Sequence, residues 1–456
     1  MAQRELSSLR LVPTRIQPKK PTDRAVVEIY RPFFLAGVVS VLTAGCALGA
    51  VALLGIALQG SYTASAWTPY VLAHANSQVY GWVAFFIIGF SLQQHAPTVE
   101  RVRSFHRLAW GSLILMAVGI GLRFAAEPLV HVDRSIWMPV GIGSCVLQAL
   151  AVVVFLWNIT VNRHRTGQGL TWQSAFVFAS LAYLLLIAFA EPFVFALTHQ
   201  IDPAQNVAFV AKWFSPYRDA QFLGFVTMMI FGVALSKMHS CFGAREASRA
   251  QGLAGLVLWN AGLFGKMVGW LYFIERNLAA SASWIFHVSG VLLAVGAVLL
   301  VLATGMFERL AKPLRSHKFI RAAFVWLLVA GVMLILEPLH LKATGQPFSH
   351  AYTGAVRHVL TVGFISQMII GVGTYVVAQM NGLIESRLSP LWSVFWLLNV
   401  GNVFRVGLEV MTDYTETAFL PMGVTGFVEL TALAIWGAHV GTHMVRTARI
   451  KAASPA

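Results

Sequence analysis

Two histidines stand near the start of apolar runs that are long enough to cross a membrane. His74 lies seven residues before Gly81, and His358 lies five residues before Gly363. A neutral imidazole inside a membrane is costly unless it has a partner, and a metal is one such partner. The pair could be axial ligands of a haem or could share one metal. They could also be unrelated histidines that bond to carboxylates, and spacing alone slightly favours this simpler interpretation.

The glycines that follow these histidines belong to a repeat. A glycine, an aromatic residue, six further residues and a second glycine occur in that order at Gly81, Gly224 and Gly363. The intervals between the three copies are 143 and 139 residues. This regularity predicts three related units in the chain.

A basic side chain recurs 42 residues after the first glycine of each copy. These cations are Arg123, Lys266 and Arg405. Four residues further on stand Glu127, Trp270 and Glu409. Because a step of four residues stays on one helix face, the two arginines can pair with the two glutamates. The cations could hold helices together, or they could meet an anionic group of a cofactor, and the pattern leaves both interpretations open.

Further polar groups collect in the same half of the predicted membrane region. Gln78 lies one turn after His74, Arg357 precedes His358, and His287 lies early in the eighth apolar run. The pairs Glu191-Pro192 and Glu337-Pro338 are expected to end helices five and nine on that side. The roles of Glu429 and of the His439/His443 pair are not determined by the sequence.

Composition defines the class of protein that must position these residues. Hydrophobic residues make up 57% of the 456 residues and charged residues 11%, a balance typical of a polytopic membrane protein. The net charge of +15 falls in loops and therefore does not indicate nucleic-acid binding. Three dispersed cysteines exclude a disulfide framework or a thiolate metal site.

Twelve apolar runs have the length of about 20 residues that a membrane-spanning helix needs. They are 33–58, 70–92, 108–126, 139–161, 172–190, 220–238, 253–274, 284–306, 320–339, 352–377, 391–410 and 422–445. With the N-terminus inside, 24 lysines and arginines lie on the cytoplasmic side and 6 outside. The positive-inside rule therefore predicts that both termini are cytoplasmic.

The predicted organisation is all-α: a basic cytoplasmic tail over residues 1–31, twelve transmembrane helices in three four-helix units over 32–446, and a short cytoplasmic tail over 447–456. The N-terminal tail contains no apolar segment of signal-peptide length, so no cleavage is expected.

The chain resembles the NnrS family of haem- and copper-containing membrane proteins associated with nitric oxide stress. The resemblance is carried by Arg31-Pro-Phe-Phe34, by His74 ahead of Gly81, and by His358-Val-Leu-Thr-Val-Gly363. It extends over nearly the whole chain in helix number and order. A more distant similarity links it to subunit I of the haem-copper oxidases, whose twelve helices also form three arcs.

This resemblance implies which residues meet the cofactors. His74 and His358 would be axial haem ligands, with His287 a further metal-ligand candidate. The remaining cofactor-binding candidates are Gln78, Arg123, Lys266, Arg357 and Arg405. The cations among them would meet haem propionates.

The sequence also departs from the families that it resembles. Asn76 stands where family members often carry a second histidine, and helix six offers Tyr217, Asp219 and Gln221 where an oxidase has a copper ligand. Helix seven has Lys266 and no histidine. These departures argue against a complete three-histidine copper centre and against oxygen reduction coupled to proton pumping, although copper binding stays open.

Two further functions compete with a haem protein that binds or turns over nitric oxide with electrons from a quinol or a cytochrome. A secondary transporter built of parallel repeats could use the same polar cluster as its substrate site. The lack of glycine- or proline-broken helices in mid-membrane counts modestly against it. An assembly factor of a respiratory complex is the third hypothesis.

Overall fold

In the computed structural model, residues 28–62, 65–96, 102–166, 169–311 and 314–453 are described. Every regular element within these ranges is helical, and twelve helices are long and apolar enough to cross a membrane. We number them α1 (Tyr30–Gln59), α2 (Thr68–Gln94), α3 (Arg103–Leu129), α4 (Arg134–Arg163), α5 (Ser174–Thr198), α6 (Ala204–Phe242), α7 (Arg249–Glu275), α8 (Trp284–Thr304), α9 (His317–Thr344), α10 (His350–Met380), α11 (Trp392–Met411) and α12 (Glu416–Arg446). The predicted all-α polytopic membrane fold is confirmed.

Most of the predicted N-terminal tail and the end of the predicted C-terminal tail lie beyond the described residues. Residues 1–27 of the N-terminal tail and 454–456 of the C-terminal tail are outside them. Helix α1 begins at Tyr30, and the helix that contains α12 runs on to Ala453. We call the end of the bundle that carries the α1–α2 loop the outer end, because the sequence predicts that it faces outside.

The prediction that two Glu-Pro pairs end their helices is wrong. Helix α5 continues through Pro192 to Thr198, and α9 continues through Pro338 to Thr344. Membrane helices tolerate an internal proline because neighbouring groups satisfy the freed backbone. The long outer loop expected between Glu191 and Asp219 is therefore mostly helix.

Helix contacts recur at every fourth helix. The pairs α3–α4, α7–α8 and α11–α12 pack together, and so do α4–α5, α8–α9 and α12–α1. Helices α2, α6 and α10 form the centre, each packed between the helices that precede and follow it in sequence. The three four-helix units stay a prediction, which this periodic packing supports.

The second glycine of each repeat allows close helix packing. A Cβ at Gly89 would lie 2.6 Å from Cβ of Phe33 in α1, and one at Gly371 would lie 2.8 Å from Cγ1 of Ile320 in α9. A Cβ at Gly232 meets α5 in the same way, 2.9 Å from Val177. Glycine therefore lets each central helix approach the preceding helix more closely than any larger residue would.

The three central helices are not regular α-helices. Each contains a π-helical segment that begins four residues before the first glycine of its repeat: Ser77–Val83, Ala220–Thr227 and Val359–Ser366. Helix α1 has a fourth, at Val41–Gly45. Such wider turns are frequent at functional sites. These segments were not predicted from the sequence. They begin just after His74 and His358.

Candidate functional site

His74 is positioned by a departure of α1 from helical geometry. At Gly45, where the π-helical segment of α1 ends, φ is −85° and ψ is −111°. The Gly45 carbonyl oxygen lies 2.8 Å from His74 Nδ1. Gly49, one turn further along α1, lies directly against the imidazole and leaves no room for a Cβ. Local backbone shape and one missing side chain thus fix the ring.

His358 is held within its own helix and from α11. Its Nδ1 lies 2.9 Å from the Gly354 carbonyl oxygen and 3.2 Å from Glu409 Oε2. Arg405 Nη2 lies 3.4 Å from both ring nitrogens. Gly354 packs against the Glu409 carboxylate, so that α10 and α11 approach closely here.

The two histidines share one hydrogen-bonding arrangement. A carbonyl oxygen only accepts hydrogen bonds, so Nδ1 of each ring carries the proton and Nε2 keeps its lone pair. This is the arrangement of a metal-ligating histidine, whose other nitrogen donates to a carbonyl or carboxylate. The surroundings of His74 and His358 therefore leave Nε2 as the ligand atom in both.

The structure brings His74 and His358 together. His74 lies within electrostatic range of His358, Arg218 and Arg405. We call His74, His358, Arg405 and Glu409 the two-histidine cluster. It lies at the outer end, since His74 is six residues from the start of α2 and His358 eight residues from the start of α10.

The predicted pairing of Arg405 with Glu409 is confirmed. Their side chains are buried, and the two guanidinium nitrogens Nη1 and Nη2 lie 3.1 Å and 3.2 Å from the carboxylate oxygens. Arg405 Nε is buried without a hydrogen-bond partner among the described residues. Its guanidinium thus has a donor left for another group.

The predicted pairing of Arg123 with Glu127 is also confirmed, in a different environment. Arg123 Nη2 lies 2.5 Å from Glu127 Oε1 and 3.3 Å from Glu191 Oε1, and Nη1 lies 2.8 Å from Cys145 Sγ. The guanidinium also stacks 4.2 Å from the centre of the Phe195 ring. Both terminal nitrogens bond to side chains on neighbouring helices, as expected of a charge that holds helices together.

The hydrogen-bond network around Arg123 includes further residues that sequence reasoning did not associate with it. Asn76 exchanges hydrogen bonds with Gln148 and donates to Glu191 at 3.2 Å. The Tyr217 hydroxyl donates to the other oxygen of Glu191. His199 Nε2 lies 3.1 Å from Glu127 Oε2. The network joins α2, α3, α4, α5 and α6, which explains why Asn76 here need not be a ligand.

Lys266 lies in a second group of charges. It is 7% exposed, its ammonium lies 3.4 Å from the centre of the Phe286 ring, and within the described residues it has no ion pair. Lys266 is within electrostatic range of Asp219 and Glu337, and Asp219 is also within range of Arg357. We call these four residues the Lys266 cluster. Its charges lie near one another without direct bonds.

The remaining candidate residues lie at different places in the bundle. Gln78 lies beside Gly45, next to the His74 hydrogen bond. His287 has Lys266 as its electrostatic neighbour, not His74, and its Nδ1 is buried without a partner in the described structure. The rings of His439 and His443 contact each other in α12, with centroids 4.6 Å apart.

A haem suits the two-histidine cluster better than a bare metal ion does. Two imidazoles whose Nδ1 atoms bond to carbonyl oxygens and a nearby arginine match the groups that a haem and its propionates need. For Nε2 of His358 to bind the iron, Arg405 Nη2 would have to move away from it. Arg405 Nε has no partner among the described residues, so the guanidinium can still bond to another group. Within the described ranges, no group of three histidine, cysteine or acidic side chains lies close enough to hold a metal ion.

Several residues of this region were missed by sequence reasoning. Gly119, Gly262 and Gly401 each stand four residues before a repeated cation, and Gly119 and Gly262 bring neighbouring helices into backbone contact. Comparing the three copies of the repeat at the position four residues before the cation would have found these glycines. Arg218, which donates to Gln221 at 2.7 Å, has no periodic signal in the sequence.

The fold and these clusters define a twelve-helix membrane protein with buried, partly paired histidines and cations at one end of its bundle. Sequence comparison then identifies its family. The model of the family described as NnrS protein matches residues 28–448, and the chain belongs to the NnrS family. No curated protein matches the chain in sequence.

Proposed function

We propose that this protein is a haem protein of the bacterial inner membrane that binds or turns over nitric oxide. The family to which it belongs suggests a role in the response to nitric oxide. The observation that carries the proposal is the shared arrangement of His74 and His358, each with Nδ1 hydrogen-bonded to a backbone carbonyl oxygen.

His74 and His358 would hold the haem from α2 and α10. Arg405 and Arg357 would bond its propionates, and Gln78 lies beside Gly45, which bonds to His74. Lys266 is a further proposed propionate partner. Arg123 is the weakest of the propionate candidates, because two carboxylates and a thiol already use its terminal nitrogens. A haem held by both histidines would supply a centre for electron transfer, and a haem held by only one of them would also supply a position for a small diatomic ligand.

The polypeptide contributes orientation and charge to this site. Gly45 and Gly354 orient the two imidazoles through their carbonyl oxygens, and Glu409 balances the charge of Arg405. Apolar helices exclude water, which strengthens these interactions. Copper stays an additional proposal without an assigned site, and both termini are proposed to be cytoplasmic.

An optical spectrum tests the proposal. Protein purified from haem-replete cells should show a Soret band and redox-sensitive visible bands, and His74→Ala and His358→Ala should each bleach or shift them. His443→Ala is the matched control, since that histidine lies at the other end of the bundle. A colourless preparation from such cells would reject the haem assignment.

The Lys266 cluster supports a second candidate function, that of a transporter. Charged side chains without direct partners are expensive in a membrane and are typical of substrate or ion pathways. A colourless protein whose Lys266→Met variant loses accumulation of a solute in vesicles would favour this function. An assembly factor of a respiratory complex has no observation in its favour.

A further inference from the structure

His340, near the outer end of α9, has a polar partner at each nitrogen of its ring. Its Nε2 lies 2.7 Å from Asp413 Oδ2, and its Nδ1 lies 3.3 Å from the Tyr414 hydroxyl. The carboxylate accepts from Nε2, whereas the hydroxyl can donate to Nδ1 or accept from it. His340 therefore keeps both hydrogen bonds whether it is neutral or protonated. The Nδ1 atoms of His74 and His358, by contrast, face carbonyl oxygens that only accept.

This imidazole connects the outer surface with the interior of the bundle. Tyr414 is 53% exposed, whereas the side chains of Asp413 and His340 are 11% and 7% exposed. Ser349 donates to Asp413 at 2.5 Å, and the Tyr352 ring packs on His340 with the two ring centres 4.5 Å apart. His340 is thus the inner member of a hydrogen-bonded chain that begins at the surface.

Glu337 lies one turn further inward on the same face of α9. A step of three residues keeps two side chains adjacent on a helix, and Glu337 is within electrostatic range of His340. Glu337 also faces Tyr352 of α10 and Lys266 of α7. It is 6% exposed, and its carboxyl group has no hydrogen bond or ion pair within the described residues.

The Lys266 cluster continues this succession of titratable groups. Lys266 and Asp219 are both within electrostatic range of Glu337, and Asp219 is within range of Arg357, the residue before His358. Asp219 Oδ2 is buried without a hydrogen-bond partner in the described part of the chain. Ionisable side chains in this setting are typical of proton relays in membrane proteins. The succession runs from the outer loop to the edge of the two-histidine cluster.

The unbonded carboxyl groups favour a relay over a structural role. A charge that holds helices together makes direct ionic bonds, as Arg123 does with Glu127. Neither Glu337 nor Asp219 has such a bond within the described residues. A carboxylate without direct bonds is costly in a membrane, and a bound proton removes its charge. These two groups are therefore suited to taking up and releasing a proton.

We propose that His340, Glu337 and Asp219 form a proton route from the outer surface to the two-histidine cluster. Asp413 and Tyr414 form its entrance. At each step one O–H or N–H bond breaks and another forms on the next group, and no electron moves along the route. The use of the protons rests on the proposed function, in which electrons delivered to a bound ligand are accompanied by protons. Proton exchange along the route does not depend on haem.

Two other histidines border the route. His287 has Lys266 as its electrostatic neighbour, and the exposed His350 has Arg357 and Asp413. Neither histidine lies between two groups that exchange a proton in this proposal.

Infrared spectroscopy tests the route through hydrogen–deuterium exchange of its carboxylic acids. The full chain is reconstituted in phospholipid bilayers, the buffer is switched from H₂O to D₂O, and the shift of each carboxylic C=O band is followed in time. Glu337→Gln or Asp219→Asn should remove one of these bands and so assign it. His340→Gln keeps a hydrogen bond to Asp413 but carries no exchangeable acid proton, so exchange of the assigned band should slow at least about tenfold.

A second variant guards against misfolding of His340→Gln. Asp413→Asn preserves the size of the side chain at the entrance and should slow exchange to the same extent, with thermal unfolding measured for both proteins. His131→Gln is the matched control, because this exposed histidine of the outer end lies beside His199 and Glu127. Its exchange rate should equal that of the unaltered protein.

The outcomes separate the route from the haem assignment. Slower exchange in both entrance variants of a colourless protein would support the route while rejecting haem. Exchange at the unaltered rate in both, or no band lost in either carboxyl variant, would overturn the route even in protein with a Soret band. Faster exchange together with a lower unfolding temperature would show that His340 and Asp413 only hold helices together, which would also overturn it.

Discussion

At the residue scale, the two histidines owe their proposed role to what surrounds them. The sequence alone could not separate ligands from histidines bonded to carboxylates. Within the described residues, His74 bonds to the Gly45 carbonyl oxygen and has no ion pair with a carboxylate. His358 has both a carbonyl oxygen and the Glu409 carboxylate as neighbours, so the two histidines differ in their partners.

The packing of Gly49 against His74 gives a prediction for one residue. Gly49→Ala adds a Cβ where the imidazole lies and should displace Nε2, with a loss of about 10- to 100-fold in haem affinity, as for other changes that disturb a ligand's support. Haem per folded protein is measured by pyridine haemochrome assay. Gly111→Ala, where a Cβ meets open space, should change nothing. Equal haem content in both variants would contradict the placement of His74.

The two confirmed ion pairs should respond differently to removal. Removing one member of a buried pair leaves an uncompensated charge and costs about 3–5 kcal/mol, whereas replacing both with apolar residues largely restores stability. Arg405→Met with Glu409→Leu should therefore fold but lose haem or shift its potential. Arg123→Met with Glu127→Leu should fold with haem intact, because its partners are structural.

The measurement for these double variants is haem per folded protein and reduction potential after detergent purification. Full occupancy and unchanged potential in the Arg405/Glu409 variant would remove the propionate role of Arg405. Loss of haem in the Arg123/Glu127 variant alone would reverse the assignment of the two pairs.

At the element scale, the π-helical segments link the repeat to the site. A π-helical turn holds one more residue than an α-helical turn, so it changes the direction of nearby side chains while the helix on either side keeps its packing. The segments lie at the same register in α2, α6 and α10, although only α2 and α10 carry a histidine shortly before the segment. They are therefore a property of the repeat, and the site uses two of its three copies.

Deletion of a single residue tests this view of α10. Removing Val362 from Val359–Ser366 should convert the segment to α-helix, leave the protein folded and redirect His358, so that haem is lost. Removing Val372 from the regular part of the same helix should shift every later residue by about 100° and prevent folding. Monodispersity by size exclusion and haem content are the two readouts. Misfolding of both deletion variants to the same extent would refute this role of the segment.

At the scale of the whole molecule, nine of the twelve helices of the described residues pack around the other three, α2, α6 and α10. Each central helix approaches its predecessor through a glycine. The contacts of the repeated cation differ among its three positions: Arg123 lies in an ion-pair network, Lys266 has no ion pair within the described residues, and Arg405 lies beside a histidine.

Topology is the prediction that belongs to the whole molecule. The excess of basic residues predicts that reporter fusions after Arg309 and after Arg387 lie in the cytoplasm. Fusions after Asp133 and after Gln346, in loops at the outer end, should report the opposite side. An outside signal at Arg309 or Arg387 would mean that the orientation is reversed, while the helix packing would stand.

The sequence by itself determined the membrane class, the number and order of the helices, the repeat and the two ion pairs at four-residue spacing. These follow from local rules, because hydrophobic length defines a spanning helix and one helix turn brings residues four apart together. The family, too, was recognisable from short motifs, and its model covers residues 28–448.

Only the tertiary structure decided which buried groups have partners. Arg123 is enclosed by Glu191 and Cys145, which lie on other helices, whereas Lys266 at the equivalent position finds no counter-ion in the described residues. The Gly45 carbonyl can bond to His74 because α1 departs from helical geometry at this residue. No residue type in the sequence indicates this departure. Whether a buried polar group finds a partner inside a membrane depends on the rotation and separation of the helices. Packing across the bundle sets both, and the spacing of residues along the sequence does not show them.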